Sequence, residues 1–263
     1  MSDVVEIPPR LRVRYTKTGR IKYTSQRDNA RAWERALRRA RLPVAYSEGF
    51  SPRPLLSFSL ALPTGCESEA EYTDLRFGVA PDGAADAVVG ERWTPESVSE
   101  LGRHLGELLP GGLDVVATAA LEGSGGSLQE EVTSCSWIVE VTGMSAAQLT
   151  DRVDALLSAA QVPIERARKG RKVIDDLRPS VLSLTTEGTG SSPGTRRLLA
   201  ELATKPRGVR PAELLAGIDP AIRLVRASRT AQWIDVDGNR HEPLTTDGRV
   251  GGAAAEMATE RGR

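Results

Sequence analysis

The side chains best suited to chemistry in this chain are arginines and one aromatic ring, gathered between residues 25 and 54. Residues 26–41 carry apolar side chains at the i, i+3, i+4 and i+7 spacing of one helix face. The opposite face of that predicted helix carries Arg31, Arg35, Arg38 and Arg39. The loop that follows is rich in glycine and proline and presents Phe50 and Arg53. Arginines beside an aromatic ring are typical of a surface that binds RNA or another polyanion, and the alternative is a solvated helix face next to a structural turn.

The start of this helix carries a carboxylate with two interpretations. Ser25 and Asp28 have the spacing of a capping box, in which each side chain bonds the backbone N–H of the other residue. A negative charge in the first helical turn is also favourable, so capping suffices to explain Asp28. A catalytic carboxylate is the alternative. Pro43 predicts the end of the helix.

Charge is distributed unevenly along a chain that is neutral overall. Residues 10–54 contain thirteen basic and three acidic side chains, a net charge of +10. Residues 66–107 contain ten acidic and three basic side chains, a net charge of −7. Such a separation can steer a polyanion onto one face, although pairing inside the fold would cancel part of it.

Two further charged segments are candidates. A second basic stretch supplies the possible nucleic-acid ligands Arg168, Lys169, Arg171 and Lys172. It would extend the first basic surface, or else form a solvated loop. Downstream of the first basic surface, Glu67, Glu69, Glu71 and Asp74 could supply paired carboxylates from one strand, but a solvated acidic surface is the favoured interpretation.

The periodicity predicts an α+β protein built from two tandem ferredoxin-like (βαββαβ) halves. The first half is predicted at residues 10–121, with strands at 10–24 (as a strand or hairpin), 44–47, 55–62, 71–78 and 113–119 and helices at 26–41 and from Pro95. A linker at residues 122–134 separates it from a second half at residues 135–240. Strands are predicted there at 137–141, 164–168, 181–186, 198–203 and 222–227, and helices at 146–160 and 211–216. Residues 241–263 have the composition of a disordered tail.

The sequence lacks the motifs of several kinds of functional site. Cys66 and Cys135 have no metal-ligand spacing, and the chain contains neither a three-cysteine cluster motif nor a phosphate-binding glycine loop. We therefore expect no metal and no cofactor bound by this chain. The N-terminus has no signal-peptide pattern and no apolar run is long enough for a membrane span, so a cytoplasmic location is expected.

Several of these segments resemble the radical SAM-linked (radical SAM-associated) family, a domain of unknown function. The resemblance is dense over residues 11–120 and thinner to about residue 235. It is carried by the segments Lys17–Gly19, Ser25–Asp28, Glu34–Arg39, Leu42–Pro54, Gly65–Ser68, Glu71–Asp74, Asp176–Pro179 and Arg229–Thr230. The motif residues are Ser25, Asp28, Glu34, Gly49, Pro52, Pro54, Gly65, Ser68, Glu71, Asp74, Asp176, Arg178 and Pro179.

The resemblance implies a partner. Members of that family are encoded beside a cobalamin-binding radical SAM protein or fused to it, so the partner would use an iron-sulfur cluster, S-adenosylmethionine and cobalamin. The family has Ser-His-x-Asp at the helix start, whereas this chain has Gln26 in place of the histidine. Any acid-base or metal role of that histidine is therefore not carried over.

Three hypotheses of function follow. The first is a non-enzymatic accessory module that binds RNA, or presents an RNA or ribonucleoprotein substrate, for the radical SAM protein. The second is an RNA-processing or RNA-modifying enzyme, since tandem ferredoxin-like halves occur among such enzymes, although analogy of fold is a weak argument. The third is a partner that only docks the radical SAM protein through its charged faces.

Overall fold

A computed structural model describes residues 10–48, 50, 52–78, 94–121, 126–168 and 170–244. Tertiary contacts divide the chain into two compact units. Unit 1 comprises Met1–Thr64, Ala70–Glu131 and Glu242–Arg263, and unit 2 comprises Gly65–Glu69 and Val132–His241. One strand is therefore divided between the two units, since it begins within Gly65–Glu69 and continues beyond Ala70.

Unit 1 follows the β-α-β-β-α-β order predicted for the N-terminal part. Its elements are β1 (Arg10–Lys17), α1 (Gln26–Ala40), β2 (Leu56–Phe58), β3 (Glu67–Arg76), α2 (Pro95–Leu108), β4 (Val115–Leu121) and the short α3 (Leu128–Glu131). The strands lie in the order β4-β1-β3-β2. Strand β1 runs antiparallel to β4 and β2 runs antiparallel to β3.

The core of unit 1 lies between α1, α2 and one face of β1. Val13 and Tyr15 of β1, Trp33 of α1 and Leu105 of α2 are each at most 1% exposed. The edge of one ring meets the face of the other in the Tyr15–Trp33 pair, with 5.0 Å between ring centroids. Because this packing fixes the apolar face of α1, it also fixes which side chains of α1 face solvent.

The strands of unit 1 are shorter than predicted at two places. Strand β1 ends at Lys17 and a 3-10 turn follows at Gly19–Tyr23, so the segment is not a hairpin. The predicted strands at residues 44–47 and 55–62 reduce to isolated bridges at Val44 and Tyr46 and to the three residues of β2. Proline has no backbone N–H to donate to a strand ladder, and Pro52 and Pro54 lie between the two predicted strands.

Unit 2 has the elements β5 (Ser134–Thr142), α4 (Ala146–Ser158), β6 (Pro163–Arg168), β7 (Arg171–Asp176), β8 (Val181–Thr189), β9 (Arg196–Ala203), α5 (Pro211–Ile218), β10 (Arg223–Val236) and β11 (Asn239–His241). Its sheet has the order β10-β5-β9-β8 with antiparallel neighbours. The first residues of β3 pair with β10 in parallel, with Glu67 opposite Ser228. Strands β6 and β7 form a separate antiparallel hairpin.

The predicted helices and strands of unit 2 are confirmed, with three differences. Strand β11 was not predicted, and strand β7 begins in the second basic stretch, for which a solvated loop was one of two interpretations. Strand β10 continues to Val236, beyond the predicted end at residue 227. Its pairing with β5 shifts register between Leu224 and Arg226 and between Arg229 and Ala231. Such bulges interrupt the alternation of buried and exposed side chains from which strands are predicted.

The protein is therefore a mixed α+β protein with a large, mostly antiparallel sheet, which confirms the predicted fold class at that level. None of the helices in the described part of the chain is long and apolar enough to cross a membrane.

Candidate nucleic-acid interface

Helix α1 begins in the capping box that its sequence predicts. Ser25 Oγ accepts a hydrogen bond from the Asp28 backbone N–H at 3.2 Å and donates one to Asp28 Oδ2 at 2.7 Å. The Ser25 backbone N–H also donates to Asp28 Oδ2, at 3.3 Å. These hydrogen bonds from Ser25 stabilise the ionised carboxylate and lower the pKa of Asp28 from its ordinary value. The capping interpretation of Asp28 is confirmed.

The segment after α1 forms a loop that returns to the helix and is held by backbone and side-chain hydrogen bonds. Helix α1 ends at Ala40 and is followed by the capping residue Arg41, which has a positive φ of 52°. The Ser47 backbone N–H then donates to the Arg53 carbonyl at 2.9 Å, and the Arg53 N–H donates to Ser47 Oγ at 3.1 Å. Tyr46 forms a bridge with Pro54, and Pro54 is buried. These contacts hold the backbone of Arg53 in place.

Arg53 and one face of α1 line a cavity of about 150 Å³. The lining residues are Arg27, Ala30, Arg31, Glu34 and Arg53. The four residues from α1 are spaced i, i+3, i+4 and i+7, which places them on one face of the helix. Three arginines and one glutamate thus line a single cavity.

The charged groups of this cavity are largely available to a ligand. Within the described ranges, Arg27, Glu34 and Arg53 make no side-chain hydrogen bond or ion pair. Arg31 lies 3.6 Å from Asp28, and both side chains are more than half exposed. Such a pair contributes about 0–1 kcal/mol and gives way readily to a stronger anion.

The predicted basic surface extends along α1 from this cavity. Arg31, Arg35, Arg38 and Arg39 are all exposed, and Phe50 is fully exposed. The structure brings Arg31 and Arg53 together at the cavity. Gly49 lies outside the described residues, and Pro52 is exposed in the same loop.

Two charged residues of the cavity were not predicted as ligands. Arg27 precedes Arg31 by four residues and lies on the same helix face, so the spacing of the arginines could have identified it. Glu34 was identified only as a motif residue of the resembling family. Its position beside three arginines depends on the loop that carries Arg53, and nothing in the sequence of α1 indicates that loop's position.

The prediction of a solvated acidic surface on β3 is wrong for three of its four residues. Glu67, Glu71 and Asp74 are buried, and Glu69 is exposed. Arg226 Nε donates to Glu67 Oε2 at 2.6 Å. A buried strand can hold Glu67 and Asp74 because arginines neutralise these carboxylates and hydrogen-bond to them.

The clearest such pair joins β3 to β1. Arg12 Nε and a terminal nitrogen of Arg12 donate to the two carboxylate oxygens of Asp74 at 2.7 and 3.0 Å. Arg12 also donates to the Pro243 carbonyl at 2.7 Å, and Arg10 lies 3.7 Å from Asp74. Arg12 is 4% exposed and Asp74 1% exposed. Part of the basic excess of residues 10–54 is therefore neutralised inside the fold.

The second basic stretch forms the hairpin of β6 and β7. Lys172 is paired with Glu165 at 2.8 Å across the hairpin, and Arg171 is exposed. Lys169 and the side chain of Arg168 lie outside the described residues. Arg166 is buried near Glu213 and Asp175, and burial lowers the pKa of its guanidinium.

The remaining motif residues have structural contacts. Asp176 accepts hydrogen bonds from the backbone N–H groups of Val162 and Arg178, at 2.8 and 3.0 Å. Arg178 donates to two carbonyls, at 3.1 and 2.9 Å, and Pro179 lies in the 3-10 turn that this network stabilises. Gly65 has a φ of +89°, which favours glycine, and Ser68 is buried opposite Arg229.

The arrangement as a whole is suited to binding an anion. Guanidinium groups donate several hydrogen bonds in a planar fork that matches a phosphate. In the described part of the chain, no group of three or more His, Cys, Asp or Glu side chains could hold a metal ion. The three arginines of the cavity can bind a negatively charged group of a ligand. The carboxylate can accept a hydrogen bond from a donor of the same ligand.

Comparison with known proteins identifies the family. No curated protein matches the chain. A family model described as "Uncharacterized protein conserved in bacteria" (DUF2344) matches residues 10–211. The match begins with β1, ends at the first residue of α5 and includes all residues of the cavity. This description confirms the expectation of a domain of unknown function. Because the match covers well over half of the chain, the protein belongs to this family of bacterial proteins, DUF2344.

Proposed function

We propose that the chain is an accessory module that binds RNA for a cobalamin-dependent radical SAM protein. The observation that carries the RNA-binding part is the cavity where Arg27, Arg31 and Arg53 converge. Three guanidinium groups around one cavity suit a phosphate of the RNA backbone. Exposed arginines farther along α1 would contact neighbouring phosphates.

An exposed aromatic ring in the loop that carries Arg53 favours RNA over other polyanions. Phe50 is fully exposed and precedes Arg53 by three residues. Unpaired RNA bases stack on exposed aromatic side chains, and each stacked base contributes about 1–3 kcal/mol. A single-stranded segment would thus be bound through its phosphates and through one base.

An accessory role rather than catalysis is supported by the contacts of the three motif aspartates. Asp28 caps α1, Asp74 binds Arg12, and Asp176 bonds two backbone N–H groups. Each is therefore committed to a structural contact. The radical SAM protein enters the proposal through the resemblance of the motif segments, several of which adjoin the cavity.

We also propose that both units are ferredoxin-like. In unit 1 the order β-α-β-β-α-β with strands in the order β4-β1-β3-β2 supports this arrangement. In unit 2 the same order is formed by β5, α4, β8, β9, α5 and β10, with strands in the order β10-β5-β9-β8. The hairpin of β6 and β7 would be an insertion between α4 and β8.

The proposal is tested by measuring binding of a fluorescent oligouridylate over a series of salt concentrations. We expect the logarithm of affinity to fall linearly with the logarithm of salt, with a slope of about −0.7 for each phosphate contacted in a single strand. In parallel, the chain is used to capture the radical SAM protein from the source cells. If the chain binds RNA but does not capture the radical SAM protein, the proposed RNA binding is supported and the proposed partnership is contradicted. Capture without RNA binding would instead favour the protein-docking hypothesis.

A further inference from the structure

We infer that Glu34 makes the cavity selective for RNA over DNA. In this arrangement the arginines hold one phosphodiester, and the Glu34 carboxylate accepts a hydrogen bond from the 2′-hydroxyl of an adjoining ribose. The inference rests on the proposed RNA-binding function and names the residue that determines the class of nucleic acid.

The size of the cavity limits the group that enters it. Pockets that enclose a drug-sized ligand have volumes of about 300–1,000 Å³. The volume here is about 150 Å³, about half the lower limit of that range. A cavity of this size suits a phosphate with part of its ribose better than a whole nucleotide cofactor.

The charge of the site suits a phosphodiester. Arg27, Arg31 and Arg53 contribute three positive charges, while Glu34 on the wall and Asp28 beside Arg31 contribute two negative charges. The net charge of +1 matches the single negative charge of a phosphodiester. A terminal phosphate carries about −1.5 to −2 at neutral pH, so the match to a terminal phosphate is poorer.

A carboxylate on the wall of a phosphate site requires a donor from the ligand. An ionised carboxylate only accepts hydrogen bonds, and next to a phosphate it is repelled unless a donor lies between them. The ribose 2′-hydroxyl is such a donor, and it is the group by which proteins distinguish RNA from DNA. Deoxyribose has no equivalent group and would leave the carboxylate facing the phosphate.

The position of Glu34 leaves it available for this contact. Its side chain is half-buried, and no hydrogen bond or ion pair engages it within the described ranges. Ala30, one helical turn earlier on the same face, is small and leaves space beside the carboxylate. The side chain is thus accessible to a ligand in the cavity.

The experiment compares ten-nucleotide oligouridylate with oligodeoxyuridylate of the same length. Uracil has no exocyclic amino group, so the two probes differ only in the 2′-hydroxyl and neither offers Glu34 an amino donor. We expect the protein to bind the RNA probe about tenfold more tightly, the scale of a hydrogen bond to a charged group. In Glu34→Ala this ratio should fall close to one, with weaker RNA binding and unchanged or tighter DNA binding.

Two variants separate the hydrogen bond from net charge. Glu34→Gln retains an acceptor oxygen and should keep part of the preference for RNA. Glu48→Gln changes the same charge at an exposed site in the adjoining loop and should leave the ratio unchanged. Equal binding of the two probes by the protein, or an unchanged ratio in Glu34→Ala, would overturn this inference while leaving RNA binding intact. If neither probe binds, the proposed function itself is wrong.

Discussion

The arginines of β1 and those of α1 belong to one basic stretch of sequence and have opposite environments. Arg10 and Arg12 are buried with Asp74. Arg31 and Arg35 are exposed, and Arg31 lines the cavity with Arg53. The difference arises because both faces of β1 are covered, whereas only the apolar face of α1 is.

This difference separates stability from binding. A buried guanidinium that is bound to a carboxylate has no capacity left for a ligand, and its removal leaves an unpaired buried charge. An exposed guanidinium contributes little to folding and keeps its donors for an anion. Net charge counted along the sequence adds the two groups together, although only the second can bind RNA.

The largest expected effect on stability is that of replacing a buried arginine. Replacing Arg12 by alanine removes the bidentate partner of Asp74 and leaves only the more distant Arg10, 3.7 Å away, so the free energy of unfolding should fall by about 3–5 kcal/mol. Chemical denaturation monitored by circular dichroism measures this. Arg35→Ala, which removes an exposed arginine, should change stability by less than about 0.5 kcal/mol. Equal effects of the two variants would remove the distinction.

A double variant sharpens the same comparison. Arg12→Met combined with Asp74→Leu removes both charges and fills a similar volume. We expect it to be considerably more stable than Arg12→Ala, since replacing a buried ion pair by apolar side chains is often close to neutral. A double variant as unstable as Arg12→Ala would show that the pair contributes more than mutual neutralisation.

The hairpin of unit 2 offers an intermediate case. Arg166 is buried near Glu213, but Glu213 also accepts a hydrogen bond from Arg207 at 2.7 Å. Removal of Arg166 therefore does not leave that carboxylate unpaired, and Arg166→Ala should cost about 1–3 kcal/mol, less than Arg12→Ala. Lys172→Ala, at an exposed pair, should cost less than about 1 kcal/mol. Denaturation of both variants tests this order.

Replacement of Phe50 tests whether exposed residues contribute to binding and not to stability. Because its ring is fully exposed, Phe50→Ala should leave the free energy of unfolding nearly unchanged. Binding of oligouridylate should weaken by about 1–3 kcal/mol if a base stacks on the ring. Phe50→Trp should restore binding. Loss of stability with unchanged binding would assign Phe50 to the core instead.

The smallest effect concerns the cap of α1. The pKa of Asp28 is lowered from its ordinary value of 3.8, chiefly by the hydrogen bonds from Ser25. The cap therefore stabilises the fold above pH 3.8, and this contribution is lost as pH falls through the lower folded pKa. In Ser25→Ala the pKa of Asp28, followed by NMR titration, should rise toward 3.8. An unchanged pKa would show that another contact stabilises the carboxylate.

The structural features that depend only on residues close together in the chain could be predicted from the sequence. The capping box, the apolar face of α1 and its end before Pro43 are local patterns, and the structure has all of them. The Arg12–Asp74 pair joins residues 62 positions apart and depends on the order of β1 and β3 in the sheet. The cavity likewise depends on where the 46–54 loop returns to α1. Neither strand order nor loop position has a local signal, so the buried acids of β3 were predicted as surface.

The central claim is that RNA binds at the cavity on α1, and two variants of equal charge test it directly. One replaces Arg27, Arg31 and Arg53 by alanine. The other replaces Arg103, Arg152 and Arg223, which are exposed elsewhere. Both change net charge by three, so general attraction of RNA is weakened similarly in each.

The decisive measurement is the slope of the logarithm of oligouridylate affinity against the logarithm of salt for the two variants. We predict that the cavity variant loses most of its affinity and that the magnitude of its slope decreases by about 0.7, the amount expected for the one phosphate that the three arginines hold. The control variant should keep the slope of the unmodified protein. Equal slopes in the two variants would contradict binding at the cavity.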